Sequence, residues 1–281
     1  MTQNNPIGIF DSGIGGLSIA CKIRDALPNE DILYIADSLH APYGNKTPEF
    51  ITQRSITLTR FLIENGAKAI VVACNTATVS SIHQLRAEFS LPIIGVEPGV
   101  KPAAENSKTG VIGILATERT LESESFLMLS DRFSRTVKVE IQPCPGLVEQ
   151  VEKLDLNSEY TRKLVYQYVQ ALLNKGVDTI VLGCTHYPFL IPLILEITGE
   201  DISVIDTSFA VTKEVKRRLS SQNMLSNSAI NGTEYFYTSG NSDKVKEAIN
   251  KLWGSPVKVS LLPHIDDYDY VSIANSSSFS K

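Results

Sequence analysis

Two cysteines occupy equivalent places in two similar stretches of the sequence. Cys74 ends the apolar run of "GAKAIVVACNTAT" (66–78), and Cys184 ends the apolar run of "GVDTIVLGCTHYP" (176–188), 110 residues later. In each stretch the apolar residues predict a buried strand, and a helix is expected to begin directly after the cysteine. Free backbone N–H groups at a helix N-terminus lower the pKa of a thiol and bind carboxylates. The pattern therefore predicts two thiols that can ionise, whereas one such cysteine alone is more often a small apolar core residue.

The segments that must position these cysteines alternate along the chain. Short β-branched runs are separated by longer amphipathic stretches, which is typical of an α/β protein with buried, mostly parallel strands. The runs are "IGIF", "DILYIAD", "AIVVAC", "PIIGV", "GVIGIL", "VKVEI", "DTIVLGC" and "ISVID", and a further βαβ unit is expected from "EYFYTSG" and "PVKVS". Helices are predicted over 48–65, between Pro48 and Gly66, and over 158–174. "GIFDSGIGGL" and "GILATERTL" also match at an offset of 105 residues, so the sequence predicts two related α/β halves.

Composition excludes several classes of protein. The chain has 281 residues, 43% of them hydrophobic and 20% charged, which is enough for two globular domains. Its net charge of −5 comes from interspersed acidic and basic residues, so neither nucleic acid nor an anionic membrane is an expected partner. The N-terminus lacks a signal-peptide pattern, and no apolar run reaches the roughly 18 residues of a membrane span. We therefore expect a cytoplasmic protein.

The cysteines and histidines do not suggest a metal centre. None of the four cysteines forms a C-x-x-C pair and the four histidines are scattered, so neither a metal site nor a disulfide is expected. Cys21 lies inside a predicted helix, "GGLSIACKIRDAL", where we expect a buried and inert thiol.

Two loops at other strand ends carry polar groups. "FDSGIGG" places Asp11 and Ser12 after the first strand, and its glycines let the backbone approach a ligand closely. These glycines form G-x-G-G rather than G-x-G-x-x-G, so nucleotide binding is not expected. The loop 36–48, "ADSLHAPYGNKTP", presents Tyr43 and Gly44, and the residues alone are as compatible with a structural role as with a binding role.

Four stretches together identify a family resemblance: "GIFDSGIGGLS", "YIADSLHAPYGNKTPEFI", "VVACNTATVSSI" and "VLGCTHYPFL". In order and spacing across residues 6–210, they resemble the glutamate racemases of the cofactor-independent aspartate/glutamate racemase superfamily. The resemblance implies two pseudosymmetric, open α/β domains with mostly parallel sheets that face each other across a cleft. We assign 1–98 with 207–281 to the first domain and 99–206 to the second. The remaining residues carry no matching motif, and the serine-rich "NSSSFSK" is expected to be frayed.

The resemblance also implies an activity, the racemisation of L-glutamate and D-glutamate without pyridoxal phosphate, metal or nucleotide. One cysteine would remove the Cα proton from one face of glutamate while the other returns a proton to the opposite face. By resemblance, Cys74 acts on the D-isomer and Cys184 on the L-isomer, and the D-glutamate supplies peptidoglycan synthesis for the cell wall. Because a thiol with a pKa of about 8.5 is little ionised at neutral pH, neighbouring groups must adjust the pKa of both thiols.

Further site residues follow from the resemblance. Beside the two cysteines, it implies three assisting residues, Asp11, Glu152 and His186. Glu149 is the alternative to Glu152, and either glutamate could instead be an exposed acid at a helix start. The implied substrate-binding residues are mostly neutral donors and acceptors: Asp11, Ser12, Tyr43, Gly44, Asn75, Thr76, Thr117, Thr120, Thr185 and His186.

Three other hypotheses stay open. An aspartate racemase shares the two-cysteine arrangement, although the "PYGNKT" and "CNTAT" stretches favour glutamate. A thiol hydrolase would use Cys184 as nucleophile and His186 as base, and would leave Cys74 without a role. A non-catalytic amino-acid-binding module would never exchange the Cα proton. The sequence decides neither the oligomeric state, for which a homodimer is the default expectation, nor whether a cell-wall precursor regulates the protein around residues 95–103.

Overall fold

The computed structural model describes residues 2–263, and the serine-rich end of the chain lies outside them. The chain begins with β1 (Ile7–Asp11), α1 (Leu17–Ala26), β2 (Ile32–Ala36), α2 (Pro48–Glu64), β3 (Ala69–Val72), α3 (Asn75–Glu88) and β4 (Ile93–Gly95). It continues with α4 (Val100–Asn106), β5 (Val111–Ala116), α5 (Glu118–Glu122), α6 (Glu124–Phe133), β6 (Lys138–Pro143), α7 (Leu147–Glu152), α8 (Glu159–Leu173), β7 (Thr179–Leu182), α9 (Ile191–Thr198) and β8 (Ser203–Ile205). The predicted last βαβ unit is confirmed after α10 (Ser208–Ser221), as β9 (Glu234–Thr238), α11 (Ser242–Trp253) and β10 (Val259–Leu261).

Within residues 2–263 the strands form two sheets in which every neighbouring pair is parallel. The first sheet has the order β10-β9-β2-β1-β3-β4, and the second has the order β6-β5-β7-β8. The run β2-β1-β3-β4 therefore has its counterpart in β6-β5-β7-β8, which confirms two pseudosymmetric halves. Cys74 follows β3 and Cys184 follows β7, so the two cysteines stand at corresponding strand ends.

We call the first sheet with α1 to α3, α10 and α11 the first lobe, and the second sheet with α4 to α9 the second lobe. The central strands β1, β3 and β7 are buried along their whole length. Their continuous apolar character is that of parallel strands covered by helices on both faces. Only the loops at the carboxyl ends of the strands are then free to carry polar groups toward a ligand.

The two helices predicted with bounds are confirmed to within one residue at each end. Pro48 begins α2, the preceding Thr47 accepts a hydrogen bond from the first turn, and Gly66 follows with φ of 88°. A proline at the first helical position and a glycine with positive φ after the last one are the expected boundaries. In α8, Ser158 provides the same kind of side-chain cap.

The segment after Cys184 differs from the prediction. An α-helix was expected near Thr185, but a 3₁₀ turn over Tyr187–Leu190 comes first and α9 begins only at Ile191. Prolines in both segments explain the difference, because each lacks an N–H group and fits only the first turn of a helix. The second of these prolines lies in the first turn of α9. In a single helix beginning at His186, the same proline would lie in the helix interior.

Candidate active site

The thiols of Cys74 and Cys184 line the same small cavity, at the carboxyl ends of strands from both sheets. Both cysteines are nearly buried, with 5% and 8% of their surfaces exposed. The cavity volume is about 10 Å³, which is room for about one water molecule. The remaining lining residues are Ser12, Pro42, Tyr43, Gly44, Asn75, Thr76, Thr117, Val148, Thr185 and His186. The fold therefore brings the two repeated strand ends together in a closed cleft between the lobes.

Cys74 immediately precedes α3, so its sulfur faces the free N–H groups of the first helical turn. The Ala77 N–H donates to Sγ at 3.4 Å, and Sγ lies 3.7 Å from Oγ of Ser12. Burial nevertheless raises the pKa of the thiol, and the nearby charge of Asp11 raises it further, while the two hydrogen bonds oppose this. The N–H group at the start of α3 lowers this pKa as expected, but burial and the Asp11 charge outweigh it, so the net pKa is raised and the expected easily ionised thiol is not found in the closed cleft.

Cys184 has a histidine and a carboxylate beside it instead of an α-helix N-terminus. Its Sγ lies 3.8 Å from Nδ1 of His186, and Nε2 of the same ring lies 2.7 Å from Oε1 of Glu152. Burial alone would lower the pKa of His186, but the hydrogen bonds and charges of Cys184 and Glu152 raise it well above its usual value. The imidazole is thus held beside the sulfur in a form that can release a proton. Glu152 is the glutamate that contacts His186, whereas Glu149 lines a neighbouring cavity of about 120 Å³.

Asp11 is the last residue of β1 and is fully buried. Its Oδ2 accepts the backbone N–H groups of Gly13 at 3.2 Å and Gly16 at 2.9 Å, and its Oδ1 lies 3.5 Å from the hydroxyl of Thr185. Burial raises the pKa of Asp11, although the charge of His186 and the two N–H groups oppose the rise. Asp11 does not itself line the cavity, but it lies close enough to influence the charge state of Cys74.

Tyr43 and Gly44 enter the cavity from a short 3₁₀ turn after β2, and a buried charged cluster holds that turn. The Tyr43 hydroxyl donates to Oδ2 of Asp37 at 2.6 Å. Arg54 of α2 donates to both carboxylate oxygens, at 3.0 and 2.7 Å, and His40 also contacts them. Sequence reasoning missed this cluster, although "ADS" after the second strand repeats the "FDS" after the first and could have indicated Asp37.

Hydroxyl and amide groups form the rest of the wall. Asn75, the first residue of α3, is buried, and within residues 2–263 neither its side-chain oxygen nor its nitrogen has a hydrogen-bond partner. The Thr76 hydroxyl joins those of Thr117 and Thr120 across the lobes, at 3.0 and 3.2 Å. Thr117 lines the cavity, while Thr120 lies behind it. The wall therefore contains one unpartnered amide and a set of mutually bonded hydroxyls.

The other two cysteines lie away from this wall. Cys21 is half-buried in α1 rather than fully buried as expected, and burial raises its pKa to about 11. Cys144 is buried and lines the neighbouring cavity, and burial raises its pKa as well. Among residues 2–263 there is no cluster of three or more histidine, cysteine or acidic side chains placed to hold a metal ion. None of the helices described has the length and apolar character needed to cross a membrane.

Comparison with known proteins agrees with this geometry. The family model for Asp/Glu/hydantoin racemases matches residues 17–215. A glutamate racemase of Methylococcus capsulatus is 50% identical over 94% of this chain and 97% of its own length, and one of Stutzerimonas stutzeri is 46% identical over 92% and 97%. The structure of glutamate racemase isoform RacE1 from Bacillus anthracis superimposes with a TM-score of 0.86 at 31% identity, covering 94% of this chain and 99% of that one.

Two further solved structures contain glutamate. The glutamate racemase of Francisella tularensis in complex with D-glutamate has a TM-score of 0.83 at 27% identity, covering 95% of this chain and all of that one. The Escherichia coli enzyme in complex with L-glutamate and the activator UDP-MurNAc-Ala has a TM-score of 0.81 at 28% identity, covering 92% and 98%. With the family model matching most of the chain and the two thiols meeting in one cleft, the chain belongs to the Asp/Glu/hydantoin racemase family of isomerases.

Proposed function

We propose that this protein interconverts L-glutamate and D-glutamate by a two-thiol, two-base reaction that needs no cofactor. The relatives that align over nearly the whole chain are glutamate racemases, and two similar structures hold D-glutamate and L-glutamate. The observation that carries the proposal is the shared cavity of Cys74 and Cys184, at corresponding strand ends of two pseudosymmetric lobes. Each lobe thus contributes one group able to exchange a proton with a substrate held between them.

The reaction moves one proton in and one proton out. In the D-to-L direction the thiolate of Cys74 takes the Cα proton, becoming a thiol, while the thiol of Cys184 donates its proton to the opposite face and becomes a thiolate. In the reverse direction the roles exchange, so charge is conserved in each turnover. His186 can protonate or deprotonate Cys184 between turnovers, because its Nδ1 faces the sulfur. The assignment of the D-isomer to Cys74 rests on the family resemblance.

The substrate itself would help to ionise the thiols. In the closed cleft, burial raises the pKa of Cys74 and so favours its thiol form. The α-ammonium of glutamate brings a positive charge next to the sulfur, and an opposite charge within a few ångströms favours the ionised thiol. The substrate carboxylates would be held by backbone N–H groups at the start of α3 and by neutral side chains, because the lining residues include neither lysine nor arginine. The unpartnered amide of Asn75 supports this assignment.

Two features of this proposal concern the whole protein. Glutamate does not fit a cavity of about 10 Å³, so we infer that the units 1–98 with 207–281 and 99–206 part to admit it. We also propose that the reaction takes place in the cytoplasm and supplies D-glutamate for peptidoglycan synthesis, as in the family that the sequence resembles.

The lining of the cavity supports a reaction without pyridoxal phosphate. Lysine is the residue that would bind this cofactor as a Schiff base, and the residues that line the cavity include no lysine.

The proposal is tested by incubating the purified protein with L-glutamate in deuterated water. We expect D-glutamate to accumulate until both isomers are equal, with deuterium at Cα of the product. The same experiment with D-glutamate should give labelled L-glutamate. A protein that binds glutamate without placing deuterium at Cα would be a binding module, and the proposed function would be wrong.

One contact suits a different enzyme. Cys184 and His186 at 3.8 Å resemble the nucleophile and base of a thiol hydrolase. The two functions differ in their need for Cys74, which a hydrolase would not use. A Cys74→Ala variant that keeps full turnover of an ester or amide substrate would favour the hydrolase, and loss of racemisation in the same variant would favour the two-thiol reaction.

A further inference from the structure

The glycines of "GIGG" bind no nucleotide in the proposed reaction, yet they contact the opposite lobe. A Cβ atom added at Gly13 would overlap the carboxylate of Glu152, whose Cδ would lie only 2.7 Å away. A Cβ atom added at Gly15 would overlap the imidazole of His186, with Cγ at 2.7 Å. Real Cβ atoms do not approach neighbours this closely, so an added Cβ would force the neighbouring side chain to move. The Glu152 carboxylate ends a flexible side chain and can move, but moving it would break its hydrogen bonds with Ile14 and His186.

The backbone conformation does not explain these glycines. Neither Gly13 nor Gly15 has a positive φ, and Gly16 lies in the ordinary helical region with φ of −61°. Other residues adopt such conformations without strain, so the usual conformational reason for glycine does not apply here. What Gly13 and Gly15 provide is close approach between the two lobes. Gly16 differs, because a Cβ there would meet atoms of its own lobe, in Asp11, Ala73 and Tyr34.

The turn itself is fixed inside the first lobe. Asp11 accepts the N–H groups at both of its ends, from Gly13 and Gly16, and the Tyr34 hydroxyl donates to the Gly13 carbonyl at 2.9 Å. The N–H of Ile14 points the other way and donates to Oε1 of Glu152 at 2.8 Å. The first lobe therefore presents a preformed turn with one N–H group directed to the second lobe.

Glu152 connects this N–H group to the proposed chemistry. The same Oε1 atom that accepts the Ile14 N–H lies 2.7 Å from Nε2 of His186, whose other nitrogen faces Cys184. A second contact across the lobes lies beside it, since the single proton of the Ser18 hydroxyl is shared between the Thr185 carbonyl at 3.0 Å and the Gly15 carbonyl of its own lobe at 2.9 Å. Parting of the lobes would therefore remove the acceptor of the Ile14 N–H and the contact between Gly15 and the His186 ring.

We propose that the Gly13–Gly16 turn is an interlobe docking surface, and that Glu152 acts as a latch which closes the cleft and positions His186 against Cys184. Gly13 and Gly15 are then positioning residues that act by leaving room for the latch. This inference goes beyond the proposed function, because the docking surface and the latch would exist whatever substrate the cleft binds.

A double-mutant cycle on the ligand-free protein tests the latch. Gly13→Ala should lower the melting temperature in the wild-type background but have much less effect in a Glu152→Ala background, where the overlapping atoms are gone. Gly16→Ala is the matched control, because it meets only its own lobe and should have the same effect in both backgrounds. If Gly13→Ala destabilises both backgrounds equally, Gly13 serves the fold of the first lobe and the proposal is wrong.

Amide hydrogen exchange provides a second measurement. In Gly13→Ala we expect the Ile14 amide to exchange about tenfold faster or more, which is the order of effect that overpacking a filled site produces. The Ala73 amide, which donates to the Phe10 carbonyl at 2.8 Å within the first sheet, should keep its protection. Unchanged exchange at Ile14, or faster exchange at both amides, would contradict a latch. Neither measurement involves glutamate or turnover, so failure of the latch and failure of the proposed racemase activity are distinguishable.

Discussion

At the scale of single residues, the two thiols stand in equivalent places but in unlike surroundings. Cys74 receives a backbone N–H and lies near the carboxylate of Asp11, whereas Cys184 faces the imidazole of His186. A carboxylate disfavours a nearby thiolate, while an imidazole can exchange a proton with the sulfur. The pseudosymmetry therefore concerns backbone position, whereas the groups around the two sulfur atoms differ.

The first prediction concerns the two cysteines separately. Cys74→Ser and Cys184→Ser should each lose about 10²-fold or more of racemisation in both directions, because every turnover needs one base and one acid. Each variant should still remove the Cα proton from the single enantiomer that its remaining thiol faces. A glutamate analogue with a leaving group at Cβ would reveal this as elimination, measured with the D-isomer and the L-isomer separately. The division of labour is wrong if both variants process the same enantiomer, or if either keeps ordinary racemisation.

The second prediction concerns the charge beside Cys74. Asp11→Asn keeps an oxygen that can accept the N–H groups of the glycine turn but removes the negative charge that raises the pKa of Cys74. The pKa of Cys74 should fall, so alkylation by iodoacetamide should become faster at a given pH below that pKa. The rate at each cysteine is measured by mass spectrometry between pH 7 and pH 10. Cys21 is the internal control, and an unchanged profile at Cys74 would mean that Asp11 carries no charge in the cleft.

Sequence reasoning identified the residues that line the cleft better than it identified their electrostatic state. Strand-end placement and family resemblance together indicated both cysteines, and both line the cavity. The N–H group at the helix start does lower the pKa of Cys74, but the expectation of a net lowering was wrong, because burial depends on how tightly two lobes close and no local pattern encodes that. The partner of Ile14 was also beyond local reasoning, since Glu152 lies 138 residues away in the chain.

At the scale of the elements, the loop after β2 depends on a buried ion pair. Asp37 is fully buried, and it accepts hydrogen bonds from Arg54 of α2 and from Tyr43 of the cavity wall. Burial alone would raise the pKa of Asp37, but the hydrogen bonds from His40, Arg54 and Tyr43 together with the Arg54 charge hold it well below its usual range. The cluster therefore anchors this turn to α2, and the turn presents Tyr43 and Gly44 to the cavity.

The third prediction tests that anchor. Asp37→Asn should destabilise the protein by about 3 kcal/mol, because it removes the carboxylate charge from a buried ion pair with Arg54. Glu88→Gln is the matched control, since the Arg60–Glu88 pair is about one-third exposed and should contribute at most about 1 kcal/mol. Both values come from urea unfolding at pH 7. Equal effects of the two substitutions would mean that the cluster does not hold the loop.

The Asp37–Arg54 pair should also make the stability of the protein depend on pH. Because the folded pKa of Asp37 is depressed, the folded state binds fewer protons than the unfolded state, and the Asp37 contribution is complete above the unfolded pKa of about 3.9. The stability difference between the wild-type protein and Asp37→Asn should stay constant from pH 7 to about pH 5 and shrink as the pH falls further. A difference that grows on acidification would contradict the sign of this linkage.

The helix after Cys184 could not be predicted correctly from the sequence pattern. The apolar run predicted strand β7 and the polar residues predicted a helix start, but the prolines divided the following segment into a 3₁₀ turn and α9. The corresponding segment after Cys74 has no proline and continues directly into α3. Similar strand ends can thus be followed by different helices, and within residues 2–263 the sulfur of Cys74 receives a backbone N–H from the helix that follows whereas that of Cys184 faces an imidazole.

At the scale of the whole molecule, the two sheets repeat one strand order, and the cleft lies where their carboxyl ends face each other. The internal sequence match predicted the two halves because each half repeats the same βα units. It did not predict how closely they approach, which depends on side chains from opposite lobes, such as Thr76 and Thr117 or Ile14 and Glu152. These contacts leave a cavity of about 10 Å³, so the glutamate binding that we propose requires the lobes to part.

The last prediction follows from this proposed opening, because parting of the lobes around one shared cavity would expose both thiols together. Added glutamate should therefore slow the alkylation of Cys74 and Cys184 with the same half-maximal concentration, by about 100-fold when glutamate is present at 100 times its dissociation constant. Cys21 lies in α1, away from the cavity wall, and its labelling should not respond to glutamate. The measurement is the rate of iodoacetamide labelling of each cysteine, by mass spectrometry, across a glutamate titration. Protection of only one thiol, or two clearly different midpoints, would mean that the lobes do not open as one unit around a shared substrate.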